Sequence, residues 1–171
     1  LRKMENHVIL CGYGRVGQEI SNQIKTQNIP IIVVESDEDR KKIAEENGLE
    51  VLCADATLDE TLKLAGLEKC KSLVVTLPND AANLYVVLSA KGIRSSIRVI
   101  ARAGTEEAAN KLRLAGASIV VSPYIAAGRA MASMALRPIA IDFLDLLAGS
   151  ECEIEEFELS NDISLFETAE K

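Results

Sequence analysis

Three glycines stand at the spacing that a phosphate-binding turn requires. An apolar run ends in Gly12-Tyr13-Gly14-Arg15-Val16-Gly17, and an amphipathic helical pattern begins at once. Gly12 permits a tight turn, Gly14 lets the backbone approach a phosphate, and Gly17 lets the helix pack against the sheet. The unpaired N–H groups at the start of that helix favour a bound anion.

Glu35 supplies the acid that such a turn needs for a nucleotide. It lies eighteen residues after Gly17, at the end of a second apolar run, Ile31-Ile32-Val33-Val34. A carboxylate at this position accepts hydrogen bonds from a ribose diol. Strand, glycines, helix, strand and acid in this order form the dinucleotide-binding fingerprint, which predicts a bound nucleotide. The alternative is a domain of the same fold that kept the turn and lost the ligand.

Further candidates follow the later strands, at the sheet edge where ligands bind in such folds. The predicted binding residues there are Ser36 after the second strand, Asp55 and Ala56 after the third, Thr76, Leu77 and Pro78 after the fourth, and Arg102 after the fifth. Asp55 either bonds to an adenine amino group or a ribose hydroxyl, or caps a helix starting near Thr57. Arg15 either reaches a terminal phosphate or stays solvated. Asn79 or Asp80 caps the next helix.

No set of catalytic or metal-binding residues accompanies these positions. The single histidine, His7, precedes the first strand, and no nucleophile elbow or converging pair of carboxylates follows. The cysteines, at 11, 53, 70 and 152, are too far apart for a metal knuckle. Cys11 and Cys53 fall in strand patterns, which predicts reduced, buried thiols. The chain therefore reads as a sensor and not as an enzyme, with no catalytic and no metal site.

Charge and composition exclude other classes of function. The net charge of −7 argues against a nucleic-acid partner, and the 4% of aromatic residues, with no tryptophan, argues against base stacking. Hydrophobic residues make up 48% of the chain without a run long enough to span a membrane. A soluble globular domain is expected, and because Met4 is internal it is expected to be cut from a longer protein.

Strand and helix patterns alternate along the first 136 residues. Strands are predicted at 7–11, 30–34, 50–53, 72–76, 97–101 and 118–121, and helices at 15–27, 37–47, 57–65, 80–91, 105–115 and 124–136. Asp37 and Thr105 are predicted helix N-caps, and Gly48, Gly92 and Gly116 are predicted left-handed C-caps. Because the strands are apolar on both faces, we predict a Rossmann-like, doubly wound parallel sheet of about six strands in the order 3-2-1-4-5-6.

The pattern changes after this domain, which we place at residues 6–136. Arg137-Pro138 breaks the preceding helix, and residues 137–150 are predicted to be a dimerisation helix and linker. Its apolar stripe, Ile139, Phe143 and Leu147, should bury against a partner chain or fold back on its own domain. Residues 151–171 alternate acidic and apolar residues, and we interpret them as the start of a truncated C-terminal subdomain.

The chain resembles the regulator-of-potassium-conductance family, also called the TrkA N-terminal domain. The resemblance spans about residues 6–147. It is carried by the glycine motif, Glu35-Ser36-Asp37, Ala54-Asp55-Ala56-Thr57, Val99-Ile100-Ala101-Arg102, and Leu114-Ala115-Gly116-Ala117 leading to Val121-Ser122-Pro123. The lead-in Lys3-Met4-Glu5-Asn6-His7 is similar to the join after the pore helix of ligand-gated prokaryotic potassium channels.

The resemblance implies a regulatory role on the cytoplasmic face of the cell membrane. Domains of this family pair as homodimers through the helices matching 124–147, and they assemble as an eight-domain, octameric gating ring beneath a membrane pore domain. Their ligands include NAD(H), ATP, ADP and AMP. The expected function is the control of a potassium channel or transporter, with the regulatory domain of a potassium/proton antiporter or a small NAD-dependent reductase as alternatives.

Two ligands are disfavoured, calcium by a departure from the family pattern and NADP by the residues that follow Glu35. Calcium-gated members carry carboxylates at positions that here read Thr76, Arg102 and Gly104, so a calcium site of that type is not expected. NADP is disfavoured because no arginine follows Glu35 early enough to meet a 2′-phosphate, and Arg40 comes a turn and a half into the helix.

Overall fold

A six-stranded parallel sheet forms the centre of the domain. The computed structural model describes residues 4–136, so the predicted dimerisation helix, its stripe of Ile139, Phe143 and Leu147, the acidic tail and Cys152 lie outside the described residues. The strands are β1 (Val8–Cys11), β2 (Ile31–Val34), β3 (Glu50–Leu52), β4 (Ser72–Val75), β5 (Val99–Arg102) and β6 (Ile119–Val121). They lie in the order β3-β2-β1-β4-β5-β6, which confirms the predicted topology.

Six helices follow the strands in alternation. They are α1 (Arg15–Thr26), α2 (Glu38–Glu46), α3 (Asp59–Leu64), α4 (Asp80–Ile93), α5 (Glu106–Leu114) and α6 (Pro123–Leu136). Every described pair of neighbouring strands is parallel, so each connection must return along the sheet, and the helices supply that return. The carboxyl ends of the strands consequently meet at one edge.

Apolar side chains on the two faces of the sheet form separate clusters. The residues Ile9, Val75 and Val99 belong to a cluster that includes α4 and α5 side chains such as Val87 and Leu112. Alternate strand residues such as Leu10 and Val33 face the other way and pack with residues of α1 and α2, including Ile20 and Ala44. Burial on both faces explains why these strands lack an alternating polar pattern.

Helix ends agree with the predicted caps at most positions. Asp37 accepts from the backbone N–H groups of Asp39 and Arg40, and Thr105 accepts from that of Ala108. Gly48 and Gly116 have φ of +73° and +99°, as left-handed C-caps require.

The prediction for Gly92 is wrong. This glycine lies inside α4, which continues to Ile93 and is followed by the extended residue Arg94. The Arg94 guanidinium donates to the carbonyls of Leu67 and Cys70, so tertiary contacts set the end of this helix.

The prediction of a buried Cys53 is also wrong. Strand β3 ends at Leu52 on the edge of the sheet, and Cys53 follows it with an exposed side chain. Its thiol donates to the Glu38 carboxylate, and that hydrogen bond raises the thiol pKa above its usual value. Cys11 and Cys70 are buried, and burial raises the pKa of the Cys11 thiol to about 12.

The chain divides into two compact units, Leu1–Arg129 and Ala130–Lys171. The sheet belongs to the first. Among the described residues, no helix is both long and apolar enough to cross a membrane.

Candidate functional site

A cleft of about 340 Å³ opens where the strands end. Its walls come from the segments that follow β1, β2, β3 and β4 and from the end of β5. The predicted site residues that line it are Gly12, Gly14, Glu35, Ser36, Asp55, Ala56, Thr76, Leu77, Pro78 and Arg102. The structure therefore brings together candidates spread over 90 residues of sequence.

Four predicted residues do not line this cleft. The Tyr13 side chain is fully buried, and Gly17 is buried where α1 meets the glycine turn. Val16 belongs to the wall of a separate apolar hollow beside β4 and β5. Arg15 is exposed in the first turn of α1. Of these four, Arg15 alone carries a charged side chain that solvent or a long ligand can reach.

The three motif glycines meet different steric demands. Gly12 has φ +95°, and a Cβ there would lie 3.1 Å from the carbonyl carbon and oxygen of Thr76. A Cβ on Gly17 would lie 2.2 Å from the Gly12 carbonyl oxygen. A Cβ on Gly14 would meet nothing within 4 Å. The fold thus requires glycine at 12 and 17, whereas no steric contact requires it at 14.

The start of α1 is open to an anion. Gly14 is the N-cap residue and provides no side-chain hydrogen bond, and the first turn contains no acidic residue. The first N–H groups of a helix lack intrahelical partners, and the helix dipole adds positive potential there. Since Gly14 also lines the cleft, a phosphate in the cleft would lie against these groups.

Glu35, directly after β2, stabilises the glycine turn through a hydrogen bond. The side chain is 5% exposed, and its Oε2 accepts from the Tyr13 backbone N–H at 2.8 Å. Its Oε1 accepts from the Asp37 backbone N–H at 2.9 Å. The carboxylate therefore holds the turn in place as well as facing the cleft.

Arg40 also lines the cleft, a contact that the sequence analysis missed. Its Nε lies 3.3 Å from Glu35 Oε2, and one terminal nitrogen lies 3.7 Å from Asp37 Oδ2. Helix α2 begins at Glu38, so Arg40 lies in its first turn and not a turn and a half along it. From there its side chain folds back to Glu35 at the end of β2.

Asp55 orders the loop after β3. Its Oδ1 accepts from the Thr57 backbone N–H at 2.9 Å and from the Thr57 hydroxyl at 2.7 Å. Helix α3 begins later, at Asp59, with Leu58 as its N-cap residue. Asp55 thus closes a turn ahead of the helix and does not cap it.

The loop after β4 is hydrogen-bonded to the end of β1. Thr76 Oγ1 lies 3.1 Å from the Cys11 carbonyl oxygen and 3.0 Å from that of Gly12, to which it donates. Asn79 caps α4 by accepting from the N–H groups of Ala81 and Ala82, as predicted.

Asn83 is a second residue whose hydrogen bonds the sequence analysis did not predict. It is fully buried, accepts from the Leu77 N–H at 2.9 Å, and donates to the carbonyls of Leu77 and Arg102. A polar residue on the inner face of an apolar helix was the available signal, because buried amides need partners.

Arg102 separates the cleft from the start of α6. Its guanidinium carbon lies 5.6 Å from the centre of the Tyr124 ring, within cation–π range. Arg102 also contributes to the walls of both the cleft and the neighbouring apolar hollow. It is therefore the cation available to a ligand at the β5 end of the cleft.

Metal-binding residue types are present in the described part of the chain but do not form a metal site. Within 4–136, no three histidine, cysteine, aspartate or glutamate side chains group as metal ligands would. His7 is buried just before β1, on the opposite edge from the cleft, with its Nε2 2.8 Å from the Ala65 carbonyl oxygen. It is too remote to act on a ligand in the cleft.

Comparison with known proteins places this geometry in a family. The model of the TrkA-N domain matches residues 8–123, which include every strand and the whole cleft. The chain belongs to the TrkA-N domain family. The TrkA-N domain of inner membrane protein ybaL from Escherichia coli has the same fold, with a TM-score of 0.72 and 31% identity over 77% of this chain and 97% of that one.

Relatives of this TrkA-N domain include channel proteins. Potassium channel protein 1 of Methanocaldococcus jannaschii is 38% identical over 157 residues, which cover 91% of this chain and 47% of that protein. The structure of GsuK bound to ADP superposes with a TM-score of 0.67 and 29% identity, covering 76% of this chain and 34% of that one. The chain spans about half the length of the curated channel proteins that it matches.

Proposed function

We propose that this TrkA-N domain is the nucleotide-sensing regulatory domain of a potassium channel, acting at the cytoplasmic face of the membrane and without catalysis of its own. The observation that carries this proposal is that the glycine turn and Glu35 face one cleft. Similarity to a potassium channel protein along 91% of the chain supports the channel context.

The ligand we propose is NAD(H) or another adenine nucleotide with a free ribose diol. Its phosphates would lie against Gly14 and the start of α1, and its ribose would bond to Glu35. Arg102 would meet a charged group at the far end of the cleft. NADP is disfavoured because a 2′-phosphate would lie against the buried Glu35 carboxylate.

The test of this function has two levels. Calorimetry of the 171-residue chain with NAD, NADH, ATP, ADP and AMP should show saturable binding of at least one nucleotide. Glu35→Ala should weaken that binding by about 1–3 kcal/mol, the scale for a lost hydrogen bond to a charged group. Absence of binding by all five would refute nucleotide sensing.

The second level concerns transport. The full-length protein, reconstituted in liposomes, should carry a potassium flux that responds to the same nucleotide. If the full protein exchanges potassium for protons, the antiporter alternative is correct. That alternative is supported by the likeness to the Escherichia coli protein named Putative cation/proton antiporter YbaL.

Assembly is the remaining part of the proposal. We propose that the domain is a homodimer that builds an octameric ring under a membrane pore domain. A solution mass at or above twice 18.5 kDa is expected for the 171-residue chain, and a monomeric mass would contradict it. Phe143→Asp should then produce monomers, since an unpaired carboxylate in an apolar interface is costly.

A further inference from the structure

Arg40 is a cation in the part of the cleft that follows β2 and β3, where the proposed ribose would lie. Its position along the chain did not predict this. Arg40 lines the cleft with Glu35, Ser36 and Asp55, and its guanidinium lies between two carboxylates. Arg40 is 40% exposed, whereas Glu35 is 5% exposed, so Arg40 is the more accessible member of this pair.

The hydrogen-bonding capacity of Glu35 limits how it can hold a ribose. A carboxylate accepts about four hydrogen bonds. Tyr13 and Asp37 already use one position on each oxygen, and the Arg40 Nε occupies the space beside Oε2 at 3.3 Å. Only one position remains for a ribose hydroxyl while Arg40 stays in place.

Arg40 is held by charge more than by hydrogen bonding. Its Nε is buried, yet it makes no aligned hydrogen bond to any partner among residues 4–136. The contact to Asp37 is also long, at 3.7 Å. A guanidinium held in this way can turn toward a stronger anion, and its planar fork suits a phosphate.

We propose that Arg40 is a specificity-determining residue, and that its guanidinium is a latent 2′-phosphate site which Glu35 keeps closed. This inference rests on the proposed function, because it requires a nucleotide whose ribose faces Glu35. With Glu35 and Asp37 ionised and Arg40 protonated, the three side chains sum to one negative charge, which repels a 2′-phosphate. Neutralising Glu35 removes that repulsion and frees Arg40.

The experiment compares 5′-AMP with adenosine 2′,5′-bisphosphate by calorimetry on the 171-residue chain. The wild type should bind AMP at least about tenfold more tightly, the scale of one charged contact. Glu35→Gln should improve bisphosphate affinity by at least about tenfold over wild type. The double variant Glu35→Gln/Arg40→Ala should lose that gain.

A matched control separates Arg40 from overall charge. Glu35→Gln/Lys42→Ala has the same net charge as the double variant above, but Lys42 points to Asp39 and lines no part of the cleft. It should keep the gain in bisphosphate affinity. Retention of the gain without Arg40, or its equal loss in both double variants, would overturn the inference.

A single variant covers the case in which Glu35→Gln does not fold, as checked by circular dichroism. Arg40→Ala in the wild-type background should weaken bisphosphate binding more than AMP binding, and so lower the ratio of bisphosphate affinity to AMP affinity. Equal weakening of both ligands would contradict the inference. If the wild type binds AMP but no variant changes the preference, the inference alone fails. If the wild type binds neither ligand, the inference fails, and the proposed function fails with it only if NAD, NADH, ATP and ADP also do not bind.

Discussion

Asp80 Oδ1 accepts a hydrogen bond from the backbone N–H of Gly104 at 2.8 Å, which joins the first residue of α4 to the loop after β5. A Cβ on Gly104 would lie 3.0 Å from the other carboxylate oxygen of Asp80. One oxygen of the Asp80 carboxylate is therefore already used by the backbone of the loop after β5.

Removal of the Asp80 carboxylate should destabilise the fold. We expect Asp80→Ala to lower the free energy of unfolding by about 1 kcal/mol, because the partly buried Gly104 N–H loses its partner. Urea denaturation measures this. Asp59→Ala, which removes a first-turn acid from α3, is the control for the helix-dipole contribution and should cost less.

Substitutions at two glycines of the turn should affect different properties, one the stability of the fold and the other the affinity for a nucleotide. Gly17→Ala should lower the free energy of unfolding by at least about 2 kcal/mol, because its Cβ would overlap the Gly12 carbonyl oxygen. Gly14→Ala should cost less than about 1 kcal/mol, and yet weaken nucleotide binding about tenfold or more. Thermal unfolding and calorimetry distinguish the two, and a Gly14→Ala variant with normal affinity would refute phosphate contact at this position.

Loss of the Asn83 amide should disorder one wall of the cleft. Asn83→Ala leaves buried backbone groups of Leu77 and Arg102 without their partner, so a loss of about 2–3 kcal/mol in unfolding free energy is expected. Asn83→Asp retains the acceptor for the Leu77 N–H but loses both donated bonds. It should therefore also destabilise, and hydrogen exchange at Leu77 should speed up in Asn83→Ala more than in Asn83→Asp.

Calcium should not act through the end of β5. Arg102 places a cation there, and calcium needs several oxygen ligands, usually anionic. Titration of the apo chain with millimolar calcium should produce no saturable heat and no thermal shift from this site. Binding that Arg102→Glu strengthens would show that a calcium site is present in the cleft, whereas binding unchanged by that variant would come from elsewhere, such as the acidic tail.

The exposed thiol should react with an alkylating reagent and the buried thiols should not. Iodoacetamide at about pH 8 should label Cys53 in the folded chain, and Cys11 and Cys70 only after denaturation, because buried thiols stay protonated and inaccessible. The hydrogen bond to Glu38 raises the Cys53 pKa, so Glu38→Gln should accelerate labelling at Cys53. Peptide mapping by mass spectrometry reads each site separately, and fast labelling of Cys11 in the native state would contradict the fold.

Sequence patterns were sufficient to predict the order of the elements and the edge of the sheet at which the candidate residues meet. Local periodicity determines which segments are strands, and the rules of parallel sheets then place all their carboxyl ends together, which is why Gly14, Glu35, Thr76 and Arg102 were expected in one cleft. Glycine at 12 and 17 follows from the same local geometry.

What the sequence could not predict depends on side chains meeting across distant segments. Asn83 reaches the Arg102 carbonyl from nineteen residues away, and that contact depends on how α4 lies over β5. Arg40 reaches Glu35 because of its rotamer, and Cys53 is exposed because β3 stops one residue before it. Such details arise from tertiary packing, which residue periodicity does not encode.

The buried hydroxyl of Tyr13 links the glycine turn to two helices. It lies 3.3 Å from Ser21 Oγ on α1 and accepts from Asn47 just after α2, so the turn between the motif glycines is anchored from behind by two helices. Asn83 anchors the facing loop in the same way. Hydrogen bonds within the domain thus hold both walls of the cleft, so little of a ligand's binding energy should be needed to order them.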